Sequence, residues 1–168
     1  MKTRLLSIAL MIFTTFLFSS CEKDDVVPDT TSLSPGQCEI KCNVSGAATS
    51  TFASNLLIST AIKSTDLMNI SGAGVTSSDA EIVMIILPAN VTTGTYTSSS
   101  WESGFFALAY TKGSYAWAAE QNQSFTITIS EVTSTNIKGT FSGVLINEDL
   151  TSQVNITNGT FSAKFTTY

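Results

Sequence analysis

From residue 38 onward, apolar and polar residues alternate with a period of two, broken by turn residues at short intervals. No stretch carries the three-to-four spacing of an amphipathic helix. Ile40, Cys42 and Val44 alternate with Lys41 and Asn43, which predicts a first strand with one wet face. Residues 56–58 (Leu-Leu-Ile) and 67–70 predict two more. Residues 82–87 form an unbroken apolar run stopped by Pro88, the pattern of a central strand covered on both faces. A loop over residues 88–94 then leads to a short Thr95-Tyr96-Thr97 strand.

Residues 105–110 and 115–119 flank Thr111-Lys112-Gly113-Ser114. A two-residue turn at Lys112-Gly113 sets Tyr110 opposite Tyr115 and Leu108 opposite Trp117. Phe106, Leu108, Tyr110, Tyr115 and Trp117 then share one face, and Phe105, Ala107, Ala109, Ala116 and Ala118 the other.

The last third repeats the alternation most regularly. Phe125, Ile127 and Ile129 alternate with Thr126, Thr128 and Ser130, and long strands over 137–146 and 153–165 follow a polar turn at 147–151. Asn158-Gly159 either closes a hairpin of its own or forms a bulge inside the final strand. Both predict the change of inward parity from Val154 and Ile156 to Phe161 and Phe165. Strand lengths favour the bulge, with 136–146 pairing along 152–162. About nine or ten short strands in residues 38–168 predict an all-β fold, an antiparallel β-sandwich, with a partly closed barrel as second choice.

The first 37 residues follow a different pattern. Lys2 and Arg4 precede an apolar run over 5–18. That run spans roughly 21 Å as a helix, short of the ~30 Å hydrocarbon core, so residues 1–20 are expected to be a signal peptide rather than a membrane span. Phe18-Ser19-Ser20-Cys21 resembles the bacterial lipobox. The resemblance implies acylation of Cys21, cleavage before it, and stable membrane attachment through more than one acyl chain. Leu17 stands one place earlier than the usual leucine, and Ser20 replaces the usual Gly or Ala. Cys21-Glu22-Lys23-Asp24-Asp25 resembles the lysine-plus-acidic export signal of Bacteroidota lipoproteins. That resemblance implies display on the outer face of the outer membrane, with periplasmic retention as the alternative. Residues 21–37 are rich in Asp, Ser, Thr and Pro and read as a flexible acidic tether, about 50 Å when extended. Within it, Asp29-Thr30-Thr31 resembles a Bacteroidota O-glycosylation acceptor, which would place a glycan on Thr30; a solvated linker is the alternative.

Removal of Lys2 and Arg4 with the leader takes the formal charge from −5 to −7, and the remaining 148 residues suffice for one domain with a real core. An acidic chain without a basic cluster argues against nucleic acid as a partner. With no histidine anywhere, His-based triads and His-ligated metals are excluded. Cys38 and Cys42 would sit ~13 Å apart on a straight strand, too far for a disulfide without a turn between them, so two reduced, buried thiols are favoured. They are too few to build a metal site.

The strongest candidate binding residues are aromatic. Trp101, Tyr110, Tyr115 and Trp117, exposed on a β face, would stack on sugar rings; buried, they would instead form much of the core. Glu148-Asp149 lies at a predicted hairpin tip and Asp79 and Glu81 flank a strand start, and no spacing here identifies a catalytic pair of carboxylates. No catalytic residue, cofactor or metal is expected.

The strand sequences carry a further resemblance. Phe125 to Ile129, Ile137-Lys138-Gly139-Thr140-Phe141-Ser142 and Val154-Asn155-Ile156-Thr157-Asn158-Gly159-Thr160-Phe161, with the earlier Ile86-Leu87-Pro88 and Gly94-Thr95-Tyr96, are similar to a family of Bacteroidota lipoproteins of unknown function. The resemblance covers most of the chain beyond the tether and rests on Gly, Thr and aromatic positions, so it implies no catalytic role. The expected function is a surface-anchored, non-catalytic binding or accessory module whose partner is a glycan, a peptide or an envelope protein. A structural subunit of an envelope complex is the alternative.

Overall fold

Eleven antiparallel strands account for the alternation. A computed structural model describes residues 33–75, 79–98, 106–119 and 123–166, and no helix lies among them. The strands are β1 (Cys38–Gly46), β2 (Ser50–Ala53), β3 (Thr60–Lys63), β4 (Leu67–Val75), β5 (Ala80–Pro88), β6 (Gly94–Thr97), β7 (Ala107–Lys112), β8 (Tyr115–Ala118), β9 (Phe125–Val132), β10 (Asn136–Ile146) and β11 (Gln153–Lys164). Most of them form one open sheet in the order β2-β1-β11-β10-β8-β7-β5-β4-β3, with β9 branching from β10 and carrying β6. β10 and β8 meet at a single residue pair, Ile146 with Ala118, whereas β9 runs along β10 from Phe125 to Val132.

Period-two burial decides which side of this sheet is the core. Ile40, Met68, Ile70, Val83, Ile85, Leu87, Leu108, Ile127, Ile137, Val154 and their inward neighbours are almost completely removed from water. Strands far apart along the sheet path meet across this core. A Cβ at Gly72 of β4 would lie 3.0 Å from Ile40 of β1, and the Cys38 thiol lies 3.4 Å from the Ser71 carbonyl. A side chain at position 72 would press on the Ile40 side chain, which would have to give by a few tenths of an ångström. At the other corner, Ala61 N–H donates to the Gly36 carbonyl at 2.7 Å, Gly36 N–H donates to Lys164, and Ile62 bridges to Thr166. Residues 34–37, read in the sequence as tether, thus form a turn held between β3 and β11.

Several expectations are met and several are corrected. The fold is all-β and antiparallel, with eleven strands rather than nine or ten. The strands absent from the sequence reading are β2 and β3, four residues each. Residues 56–58, expected as a strand, make a turn, because Asn55 Oδ1 accepts from Leu57 N–H at 2.9 Å and the Asn55 carbonyl from Ile58 N–H at 3.2 Å. This side-chain mimic of a backbone turn overrides the apolar run. The β7–β8 turn falls at Gly113-Ser114 rather than Lys112-Gly113, so Tyr110 faces Trp117. Gly113 holds φ +58°, as the first loop position of a type II′ hairpin requires. Because the register slips by two, the described members of both faces stay where they were predicted, and Phe105 lies outside the described residues.

Asn158-Gly159 is a bulge inside β11. Phe141 pairs with Gly159 and Gly143 with Ile156, so β11 carries an extra residue, and Asn158 takes the left-handed φ of 53°. The inward set moves from Val154 and Ile156 to Phe161, Ala163 and Phe165, as predicted.

The two outer faces differ sharply. Outside β5 stand Ile82, Met84 and Ile86, all half-buried, between the small residues Ser71 and Ala73 of β4 and Ala107 and Ala109 of β7. The strand expected to be covered on both sides is fully covered on its inner side only. Outside β6, β9, β10 and β11 stand mainly threonines, in register.

Candidate functional site

The register of four strands aligns hydroxyls into rows. Thr95 pairs with Thr128, Thr128 with Thr140, and Thr140 with Thr160, giving one threonine per strand from β6 to β11. A second row runs Thr97, Thr126, Ser142, and ends beside Thr157 at the bulge. Within a row the spacing is the ~4.8 Å of neighbouring strands, and between rows about 7 Å, two residues along a strand. Period-two alternation builds this face automatically. Ile127, Phe141 and Phe161 point into the core, so the residues beside them point out.

The bulge turns this face concave. Thr126, Thr140, Phe141, Ser142, Thr157, Asn158, Gly159 and Thr160 line a shallow, open trough of about 570 Å³. Its floor is the cross-strand pair Phe141–Gly159. At the β6 end of the row, Thr95 Oγ1 and Thr128 Oγ1 lie 3.2 Å apart and satisfy each other. The side chains of Thr126, Thr140, Ser142, Thr157, Asn158 and Thr160 have no such engagement with the described residues, so their donors and acceptors face solvent. The cations beside the trough are already matched: Lys41, paired in register with Thr160, holds Glu39 at 2.5 Å, and Lys138 holds Glu131 at 3.2 Å. The trough is therefore neutral, rich in hydroxyls, and without a titratable group in its lining.

The aromatic candidates resolve differently. Tyr110 is 0 % exposed and Trp117 4 %, and their rings stack at 5.8 Å inside the core, where no ligand reaches them. The Trp117 indole N–H donates to Ser152 Oγ at 3.0 Å, which satisfies it without a ligand. Tyr115 presents a ring to solvent at 68 % exposure, stacked on Trp117 with ring centres 6.0 Å apart. Trp101 lies outside the described residues, as do Cys21, Glu22, Lys23, Asp24, Asp25 and Thr30.

One buried polar group escaped the sequence reading. Glu81 lies in register with inward-facing Val83 and Ile85 and is 1 % exposed. Its carboxylate takes Lys112 at 2.9 Å and the Ser50 hydroxyl at 2.7 Å, while Lys112 also donates to the Thr49 carbonyl at 3.2 Å. Tyr110 lies beside it, and burial first, then the Glu81 charge, pushes its phenol above the ordinary tyrosine range. The signal in the sequence was parity: Glu81 occupies the same face as Val83, Ile85 and Leu87. Lys112 matches the charge of this carboxylate and the Ser50 hydroxyl donates to Oε2, while Oε1 has the ion pair with Lys112 and no hydrogen bond among the described residues.

Cys38 and Cys42 are free and buried. Burial raises both thiols to about 12, which keeps them protonated and unreactive at neutral pH. Among the described residues no three of His, Cys, Asp and Glu gather as a metal site requires. Comparison with protein families, with curated proteins and with solved structures found no match.

Proposed function

We propose that this chain is an exported lipoprotein, anchored through Cys21, whose all-β domain is a non-catalytic binding module displayed at the cell surface. The leader, the lipobox-like Phe18-Ser19-Ser20-Cys21 and the Glu22-Lys23-Asp24-Asp25 segment support anchoring and export, and the resemblance to Bacteroidota lipoproteins supports the outer membrane. The fold supports a β-sandwich, with β6-β9-β10-β11-β1-β2 facing β8-β7-β5-β4-β3 across the core and the Ile146–Ala118 pair joining the layers. The observation that carries the binding half is the trough on β9, β10 and β11. It is concave, within the size range of ligand sites, and lined by polar groups that no described residue engages.

A second reading, an assembly subunit of the envelope, rests on the opposite face. Ile82, Met84 and Ile86 stand half-buried outside β5, Met84 between Ser71 and Ala109, Ile82 between Ala73 and Thr111, and Ile86 between Asn69 and Ala107, an apolar strip suited to packing against another protein.

The test has two arms. Protease shaving of intact cells should remove the domain from wild type and spare it when Lys23, Asp24 and Asp25 are changed to Ala; protection of both would move the domain to the periplasm. The unlipidated chain from Glu22 onward, screened on mixed glycan and peptide arrays, should bind members of one class. Silence across both, together with one fixed protein partner on purification from its envelope, would replace the binding module by the assembly subunit.

A further inference from the structure

We propose that the trough binds a neutral, linear, polyhydroxylated chain, an oligosaccharide laid across β9, β10 and β11 over the hydroxyls of Thr126, Thr140, Ser142, Thr157 and Thr160. This rests on the binding-module reading above and specifies its ligand. Three features select the chemistry. First, every side-chain polar group in the lining is a hydroxyl or an amide, able to donate and accept at once, which matches the hydroxyls of a sugar. Second, the lining carries no charge and its flanks are net neutral, because Lys41 and Lys138 are each paired with a glutamate, Glu39 and Glu131, so nothing there favours a phosphate, sulfate or uronate over a neutral chain. Third, the lining hydroxyls sit on three neighbouring strands at the ~4.8 Å strand spacing, close to the advance of one pyranose along a linear glycan, so successive sugars meet successive strands.

The bulge gives the trough its direction. Asn158, in the left-handed conformation, interrupts the β11 ladder between Thr157 and Thr160, so the two hydroxyls lie on either side of its exposed amide. At the β6 end the Thr95 and Thr128 hydroxyls bond each other outside the lining, so β9 enters the trough through Thr126, and the stretch from β9 to β11 is about three sugars long. No aromatic ring faces the trough, and each hydroxyl bond to sugar replaces one to water. A single chain is therefore expected to bind weakly, and many anchored copies facing one polysaccharide would raise the overall strength.

The experiment is a titration of the unlipidated chain from Glu22 onward, followed by backbone amide shifts. The probes are cellohexaose, maltohexaose and mannohexaose, with a sulfated and a uronate oligosaccharide as charged comparators. At least one neutral hexasaccharide should move amides of residues 126–128, 140–142 and 157–160, while the charged chains leave them in place. Thr140→Val with Thr160→Val keeps shape and strand propensity and should weaken binding about tenfold. Thr60→Val, on the opposite face, should leave binding unchanged. Shifts that map instead around Tyr115, or tighter binding of the charged chains, overturn the proposal even if the double variant does not fold. Binding of peptides but of no neutral glycan overturns it too, and leaves the binding-module reading standing.

Discussion

At the scale of single residues, Cys38 and Cys42 show what the alternation does and does not disclose. Two cysteines four apart on one strand share a face, and since Ile40 lies between them on that face, both enter the core. Burial and unpaired sulfur were therefore legible. The size of the effect on ionisation was not, because it depends on what strand lies across the core, here β4. Burial raises each thiol from 9.0 to about 12. The folded chain then keeps protons that the unfolded chain gives up, so stability is intact below pH 9 and falls as pH rises toward 12. At pH 10 the loss is about 1 kcal/mol per thiol. Urea unfolding at pH 7.5 and pH 10 should show it, and Cys38→Ala with Cys42→Ala should flatten the difference. An unchanged pH dependence in that variant would mean the thiols are not desolvated. The aromatic residues make the complementary point. Alternation grouped Tyr110, Tyr115 and Trp117 on one face, but a face is core only when something lies over it, and that is a tertiary fact.

At the scale of elements, long strands with several inward residues were readable and short ones were not. β2 and β3 each contribute a single well-buried apolar residue, Phe52 and Ala61, too little for a periodic signal. Asn158-Gly159 was readable as one of two structures, since hairpin and bulge change parity alike. Pairing lengths decided for the bulge. The glycines around it have a packing reason. Gly139 lies opposite Phe161, and Gly159 opposite Phe141, so each ring covers a glycine on the neighbouring strand. A Cβ at Gly159 would come within 2.7 Å of the Phe141 ring as well as striking backbone, and neither can move without disturbing the ladder. Gly159→Val should thus cost about 2–4 kcal/mol by overpacking and strand distortion. Asn158→Gly, at a left-handed position, should change stability by only a few tenths of a kcal/mol. Equal midpoints for all three proteins in urea would show that the bulge tolerates side chains at both positions. The trough itself was half legible: the threonines were visible as the wet side of each strand, but their alignment into rows needed the register.

At the scale of the whole molecule, the question is what brings the two ends of an open sheet together. Hydrogen bonding along the path joins neighbours only, and β2 lies many strands from β5 and β7. Glu81 spans that gap: it accepts from Ser50 at the start of β2 while Lys112 of β7 reaches Glu81 and the Thr49 carbonyl. Phe52 of β2 adds an apolar contact, its ring 3.2 Å from the space a Cβ would take at Gly74 of β4. A carboxylate 1 % exposed is costly to leave unmatched, so removing its cation is worse than removing the pair. Lys112→Met alone should cost about 3–5 kcal/mol, and Glu81→Ala somewhat less, because Lys112 keeps some access to water. Glu81→Leu with Lys112→Met should come close to wild type or exceed it, giving a coupling of several kcal/mol between the two sites. The same variants separate closure from mere stability. If the pair ties the ends, amide exchange in Glu81→Ala should quicken first in Ser50–Ala53 while β10 and β11 stay protected. Protection of β2 undiminished in that variant would assign the closure to the other contacts there, Phe52 packing over Gly74 and the Asn55 N–H bond to the Ala73 carbonyl at 2.7 Å, and would leave the buried pair as a local feature of the β5–β7 ladder.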